Sequence, residues 1–311
     1  MWGEGMIRDV LNRLEALERA IEDAHEEERE SLVLEHAALL EQCRSLAAED
    51  RVVLARHPRR PKIDGYVNAL FTDFFEHRGD RSCREDRSML CGIALFHGRP
   101  VTVIGHRKGS SIEENMRYNF GMPGPEGFRK ALRAMQQAEK FHRPVITFID
   151  TPGAYPGMEA EERGQGEAIA HNLAAMSRLR VPVVSIVTGE GNSGGALAIG
   201  VANRVLMLEN AYYAVLSPEG FASILWKDAS RKGEACDVMK LTAQDLFALG
   251  VIEEIVPEAL GGAQRDVPAL MRTLDAALSR ALDALSPMDA DALVAQRYDR
   301  FRKIGQIEEM K

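Results

Sequence analysis

Ile7, Val10, Leu14, Leu17, Ile21 and Ala24 recur at alternating spacings of three and four, the seam of an amphipathic helix. The acidic run at 26–30 interrupts it, and a weaker seam resumes through Leu32, His36, Leu39, Cys43, Leu46, Asp50 and Val53. The spacing predicts a helical hairpin over 6–55. It has too few heptads for a free coiled coil, so it must dock on the body or on a partner, with His36 as an interface residue. ARHPRRPK at 55–62 ends the helices and reads either as a charged linker or as a contact for phosphate or an acidic partner. A further helix is predicted over 65–76.

From Met89 the texture changes. Short apolar runs at 91–96 and 101–106 are joined by His-Gly-Arg-Pro, a hairpin signal. The irregular, glycine-rich stretch at 107–127 is long enough to be a functional or partner-binding loop. A repeating plan follows: helix 128–141, strand 145–150, turn 151–157 and a helix to about 179, then strand 183–188, a glycine turn and a helix to about 202. Strands at 205–208 and 212–216 come next, then a helix from Pro218 capped by Ser217. A helix at 241–250, a strand end at 251–256, a helix at 266–285 and a helical tail from 287 complete the reading. Strands alternating with helices predict an α/β fold. The expected division is an N-terminal hairpin and basic linker (1–62), an α/β domain (63–265) and a C-terminal helical extension (266–311).

A net charge of −8 weighs against nucleic acid as the main partner. Cys43, Cys83, Cys91 and Cys236 form no C-x-x-C pair, which points to reduced thiols and no metal site in this chain. No apolar run reaches the ~18 residues of a membrane span, and the first twenty residues lack the apolar core of a signal peptide. A cytoplasmic protein is expected.

The candidate chemistry lies at 183–202, where an apolar β-branched run leads into Gly189, Gly191, Gly194 and Gly195. Gly189 to Gly194 spells G-x-G-x-x-G, with Glu209 twenty residues beyond, a dinucleotide fingerprint. Such units normally open a fold, yet at least three predicted strands precede this one. The same residues spell G-x-S-x-G, but a hydrolase elbow needs its histidine after the serine, and all eight histidines precede Ser193. No G-K-[ST] follows, which excludes a P-loop. Two readings remain: backbone N–H groups near Gly194 and Gly195 aimed at an oxyanion, or glycines that merely let a helix pack closely on a sheet. The turn at 151–157 occupies the same strand-to-helix position one unit earlier, so the two turns should lie side by side.

GHRKG (105–109), NFGMPGPEGFRKALR (119–133), FIDTPGAYPGMEAEERGQGEAIA (148–170), GEGNSGGALAIGVA (189–202), SPEGFASILWKDA (217–229) and PEALGGAQRD (257–266) resemble, in this order, blocks of the α subunits of bacterial acetyl-CoA carboxylase carboxyltransferases. The resemblance runs from about residue 50 to 305. It implies a crotonase-like (ClpP/crotonase) spiral of ββα units with helical extensions at both ends. It also implies a zinc-containing β subunit as partner, in a heterotetramer of two α and two β chains. The implied reaction moves a carboxyl group from carboxybiotin, on the biotin carboxyl carrier protein, to acetyl-CoA, giving malonyl-CoA for fatty acid biosynthesis. Biotin is the implied cofactor, and no metal is implied in this chain.

By the same resemblance, Gly194 and Gly195 hold the biotin-side oxyanion, adjoined by Gly191, Ser193 and Ala196. Gly153, Ala154 and Tyr155 form the pocket wall, and Arg107 and Lys108 lie near the CoA phosphates or the interface. The family usually has glycine at 192, histidine or arginine at 124, cysteine at 221 and His-Arg-Asn at 264–266. Here Asn192, Gly124, Phe221 and Gln264-Arg265-Asp266 stand there, which leaves room for another acyl-CoA or another β partner. Two rivals stay open. One is a stand-alone crotonase-type hydratase or isomerase with Glu190 as acid/base, and the other is an RNA-binding subunit using 55–62 and 106–108.

Overall fold

The computed structural model describes residues 4–306; residues 1–3 and 307–311, the outer ends of the two expected helical extensions, lie outside them. Three helices open the chain: α1 (Glu4–Asp23), α2 (Glu26–Gln42) and α3 (Ala48–Ala55). The expected hairpin is broken a second time because Asp50, placed by periodicity on the seam, instead accepts a hydrogen bond from the Ala47 N–H at 3.0 Å. That carboxylate starts α3. Ile7, Val10, Leu14, Leu39, Cys43 and Leu54 form a small core of their own. His36 lies where α1 and α2 meet Arg265, whose Nη2 is 3.0 Å from its ring.

The helix expected over 65–76 is two elements, α4 (Ile63–Leu70) and β1 (Thr72–Glu76). Thr72, Phe74 and Phe75 suit a pleated surface better than a helix. β2 (Met89–Phe96) and β3 (Arg99–His106) form the expected hairpin. It turns at His97 and Gly98, both with positive φ (48° and 76°), as a tight primed turn requires. The loop at 107–127 holds a helix, α5 (Ile112–Arg117), started by Ser111, whose hydroxyl accepts from the Glu114 N–H.

The rest runs α6 (Pro125–Lys140), β4 (Val145–Thr151), α7 (Met158–Glu162), α8 (Gln165–Arg178), β5 (Val183–Asn192), α9 (Ser193–Leu197), β6 (Arg204–Leu208) and β7 (Tyr212–Ala214). Then come α10 (Pro218–Trp226), α11 (Lys232–Met239), α12 (Ala243–Ala248), β8 (Glu254–Val256), α13 (Val267–Leu285) and α14 (Ala290–Lys303).

The sheet order is β1-β2-β3-β4-β5-β6-β8, with β7 paired to the far end of β5. The first three strands are antiparallel, and β3 through β8 run parallel. β4 and β5 are buried along their whole length, as befits strands covered by helices on both faces. β5 is longer than predicted: Gly189 and Gly191 are strand residues, and Glu190, Gly191 and Asn192 pair with Tyr212, Tyr213 and Ala214. The helix expected to reach about 202 shrinks to α9.

Candidate functional site

In an open parallel sheet, ligands bind beyond the carboxyl ends of the strands. Here β3, β4 and β5 end side by side at His106, Thr151 and Asn192. Ser193 then takes a left-handed backbone, φ 60°, and starts α9. The first amides of a helix have no carbonyl one turn back, which leaves those of Ser193, Gly194 and Gly195 without an intrahelical partner at the start of α9.

The glycines divide the work. A Cβ on Gly195 would lie 2.5 Å from Ala154 N and 2.6 Å from the Gly153 carbonyl carbon, whereas one on Gly194 would meet Ile169 Cγ2 at an ordinary 3.5 Å. Gly195 is therefore required for close approach of the two turns, and Gly194 is not. Gly194 is half-buried and Ser193 exposed, while Gly195 and Ala196 are buried. The 151–157 turn is fixed in its own right, for the Gly153 N–H donates to Thr151 Oγ1 at 3.0 Å and that hydroxyl donates to the Gly153 carbonyl at 2.8 Å.

Ser193 and Gly194 open onto a cavity of about 490 Å³. Leu197, Tyr213, Val215 and Phe301 make it largely apolar, and Arg300 lies on its wall. Gly153 and Ala154, expected as pocket wall, adjoin Gly195 but do not line this cavity. Tyr155 faces a different cavity of about 350 Å³, with Arg84, Asp86, Arg117, Gly124 and Arg163. Gly191 lies inside β5, where a Cβ would touch the Tyr213 ring at 3.0 Å.

Beneath the turns lies a buried ionic layer. Lys108 Nζ donates to Asp150 Oδ1 at 2.8 Å and to Glu190 Oε1 at 2.6 Å. Arg56, on the loop end of α3, donates from Nε to Glu190 Oε2 at 3.0 Å and from Nη1 to Glu219 Oε1 at 2.7 Å. Burial alone would raise the Asp150 carboxyl, but Lys108 and Lys62 outweigh it and hold it at about 2. Burial likewise opposes ionisation of Glu190, and Lys108 with Arg56 brings it below the usual carboxylate range.

Both basic candidates are committed to carboxylates. Lys108 sits in this layer, and Arg107 donates to Asp64 Oδ2 at 3.0 Å and to Glu76 Oε1 at 3.2 Å. The basic linker is corrected too. Arg60 is fully buried, bonds Glu258 with both terminal nitrogens and donates from Nε to the Thr188 carbonyl at 2.6 Å. It belongs to the interior and is neither a solvated linker residue nor a phosphate contact.

His106 adds a buried imidazole near the main chain of Gly195 and Phe148, with no well-formed hydrogen bond on either ring nitrogen. Sequence patterning marks Arg56 and Lys62 only as part of a basic run and does not single out Asp150, Tyr212 or Glu219. They come from distant segments, and the only local signal is a charged residue at the end of an apolar strand.

Among the described residues, no three His, Cys, Asp or Glu side chains are grouped to hold a metal ion. No helix among them is long and apolar enough to cross a membrane.

A family profile described as acetyl co-enzyme A carboxylase carboxyltransferase-like matches residues 4–305. The acetyl-coenzyme A carboxylase carboxyl transferase subunit alpha of Anoxybacillus flavithermus is 58% identical over 265 residues, covering 85% of this chain and 82% of its own. That of Listeria monocytogenes serotype 4b is 54% identical over 261 residues, covering 84% and 82%. Among solved structures, the beta subunit of P. aeruginosa geranyl-CoA carboxylase superposes with a TM-score of 0.59 at 18% identity, over 80% of this chain and 46% of that one. A Pseudomonas malonate decarboxylase hetero-tetramer in complex with coenzyme A gives 0.56 at 19% identity, over 69% of this chain and 87% of the matched one. The chain spans less than half of the first and most of the second. At these identities the likeness concerns the fold, which is the crotonase-like α/β fold of carboxyltransferases.

Proposed function

The chain belongs to the acetyl co-enzyme A carboxylase carboxyltransferase-like family, and we propose from that premise that its 193–195 turn is the biotin-side anion site. The activity is biotin-dependent carboxyl transfer to acetyl-CoA, which makes malonyl-CoA for fatty acid biosynthesis. The reaction draws its carboxyl group from carboxybiotin and leaves negative charge on a ureido oxygen. The Gly194 and Gly195 amides are the donors assigned to that charge, with the Ala196 N–H adjoining. They act in a largely apolar cavity, where a preorganised donor is worth more than in water. Gly153 and Ala154 hold Gly195 from behind. Gly191, Arg107 and Lys108 are assigned to the frame under the turn, and Tyr155 to the charged cavity beside it.

The observation that carries this reading is the half-buried Gly194 at the cavity mouth, backed by a Gly195 with no room for a side chain. The hydratase rival loses support because both Glu190 oxygens are taken, Oε1 by Lys108 and Oε2 by Arg56 and Tyr212. The RNA-binding rival loses support because Arg56, Arg60, Arg107 and Lys108 are all paired internally.

We assign as partners a zinc-bearing β subunit of the family, in a heterotetramer, and the biotin carboxyl carrier protein, all in the cytoplasm. Exposed Ile112, Met116, Phe120 and Met158 support a face left open for the β subunit. The test is biotin-dependent decarboxylation of malonyl-CoA by this chain with its β partner. Gly194→Val keeps the amide but places a branched side chain at the cavity mouth, which should hold the ureido oxygen off the donors and lower kcat by about 10²–10³, the scale of losing one oxyanion contact, while circular dichroism and assembly stay unchanged. Parental kcat in that variant would refute the assignment.

A further inference from the structure

Immediately before the anion turn stands Asn192. Its side chain is fully buried. Nδ2 donates to the Tyr212 hydroxyl at 2.9 Å, and Oδ1 has no hydrogen-bond partner. One bond therefore orients the whole amide. Tyr212 lies on β7, the short strand paired to the last residues of β5 and bridged to Thr242 on its other side, and it too is fully buried.

The Tyr212 hydroxyl is saturated. Its proton goes to Glu190 Oε2 at 2.8 Å, and its two lone pairs accept from Asn192 Nδ2 and from Arg56 Nη2 at 2.8 Å. A phenol offers no more than one donor and two acceptor sites. Burial and the Glu190 carboxylate raise its pKa far above the ordinary value, so the donated proton stays in place. A continuous path thus runs from Arg56 on the N-terminal helices, through Tyr212, to the residue that launches the turn.

The backbone needs such a hold. Asn192 is extended (φ −114°, ψ 142°) and Ser193 left-handed (φ 60°). For a residue with a Cβ that left-handed conformation is unfavourable.

We propose that Asn192 and Tyr212 are paired positioning residues, through which the N-terminal helices fix the orientation of the Ser193–Gly195 amides toward biotin. The proposal rests on the reading of that turn as the anion site.

The test uses the complex with the β partner and compares parent, Asn192→Gly, Tyr212→Phe and the double variant in biotin-dependent malonyl-CoA decarboxylation. Removing one partner of a buried hydrogen bond is worse than removing both. Tyr212→Phe strands the Asn192 amide and should lower kcat about tenfold, the scale of a small misplacement of a reacting group. Asn192→Gly should cost less, and the double variant no more than Asn192→Gly alone. The KM for malonyl-CoA should hold while the KM for biotin rises.

Parental kcat in Tyr212→Phe with only a lowered melting temperature would overturn the proposal, as would strictly additive losses. Gly194→Val measured alongside separates the two levels. Its loss of activity with an active Tyr212→Phe rejects the pair alone, whereas a fully active Gly194→Val rejects the anion site and the pair with it.

Discussion

His106 ends β3 fully buried, and burial is the main cause of its pKa falling to about 4. Of its charged neighbours, Asp150 opposes that fall and Lys108 adds to it. Because the folded value lies below the unfolded one, near 6.5, the unfolded chain binds the extra proton between the two. Stability must then rise with pH across that window and be lost as pH falls from about 6.5 to about 4. A shift of this size corresponds to on the order of 3 kcal/mol. Urea midpoints at pH 7 and pH 4 should show that loss in the parent, and His106→Gln should lack this part of it. An identical pH dependence in both would contradict it. The glycines were only half legible at this scale. The cluster at 189–195 announced close approach or anion binding, but not which glycine did which. That follows from distances to the Gly153 and Ala154 main chain, which belong to another segment.

β4, the first part of β5 and the hairpin of β2 and β3 follow from β-branched runs and turn residues. What periodicity misplaced were elements decided by tertiary pairing. Thr72 to Glu76 is a strand because β2 offers it an edge, and Gly189 to Asn192 continues β5 because β7 does the same. The segment at 55–62 misled for a related reason. A cationic run reads as solvated unless its partners are known, and Glu258, Glu190 and Asp150 all lie far along the chain. Taking one partner from a fully buried ion pair leaves a lone charge, at about 3–5 kcal/mol, whereas replacing both with apolar residues is often nearly neutral. Arg60→Ala should therefore destabilise by roughly that amount in chemical denaturation, and Arg60→Met with Glu258→Leu should recover much of the loss. A double variant as weak as the single one would refute this account.

At the scale of the whole molecule, the ends of β3, β4 and β5 gather the turns, the ionic layer and the cavity at one end of the sheet. We take the helical extensions before 63 and after 265 as supports for that end, since Arg56 reaches Glu190 from one and Phe301 walls the cavity from the other. Ile112 and Met158 are 78% and 76% exposed, on α5 and at the start of α7, which both lie on loops from the same strand ends. With the β partner assigned there, Ile112→Glu with Met158→Glu should leave this chain folded but weaken assembly by at least about tenfold, because a charge placed in an apolar interface loses its water. Light scattering of the mixed subunits would show it, and undiminished assembly would move the interface elsewhere.

The Arg60–Glu258 pair also sets a timetable, because its members lie 198 residues apart. A ribosome adding about 5–20 residues per second needs some 10–40 s to cover that distance. Throughout that interval the emerging chain holds a guanidinium destined for the interior with nothing to neutralise it. The N-terminal helices can form early, but Arg60 cannot take its place on the body until Glu258 has been made.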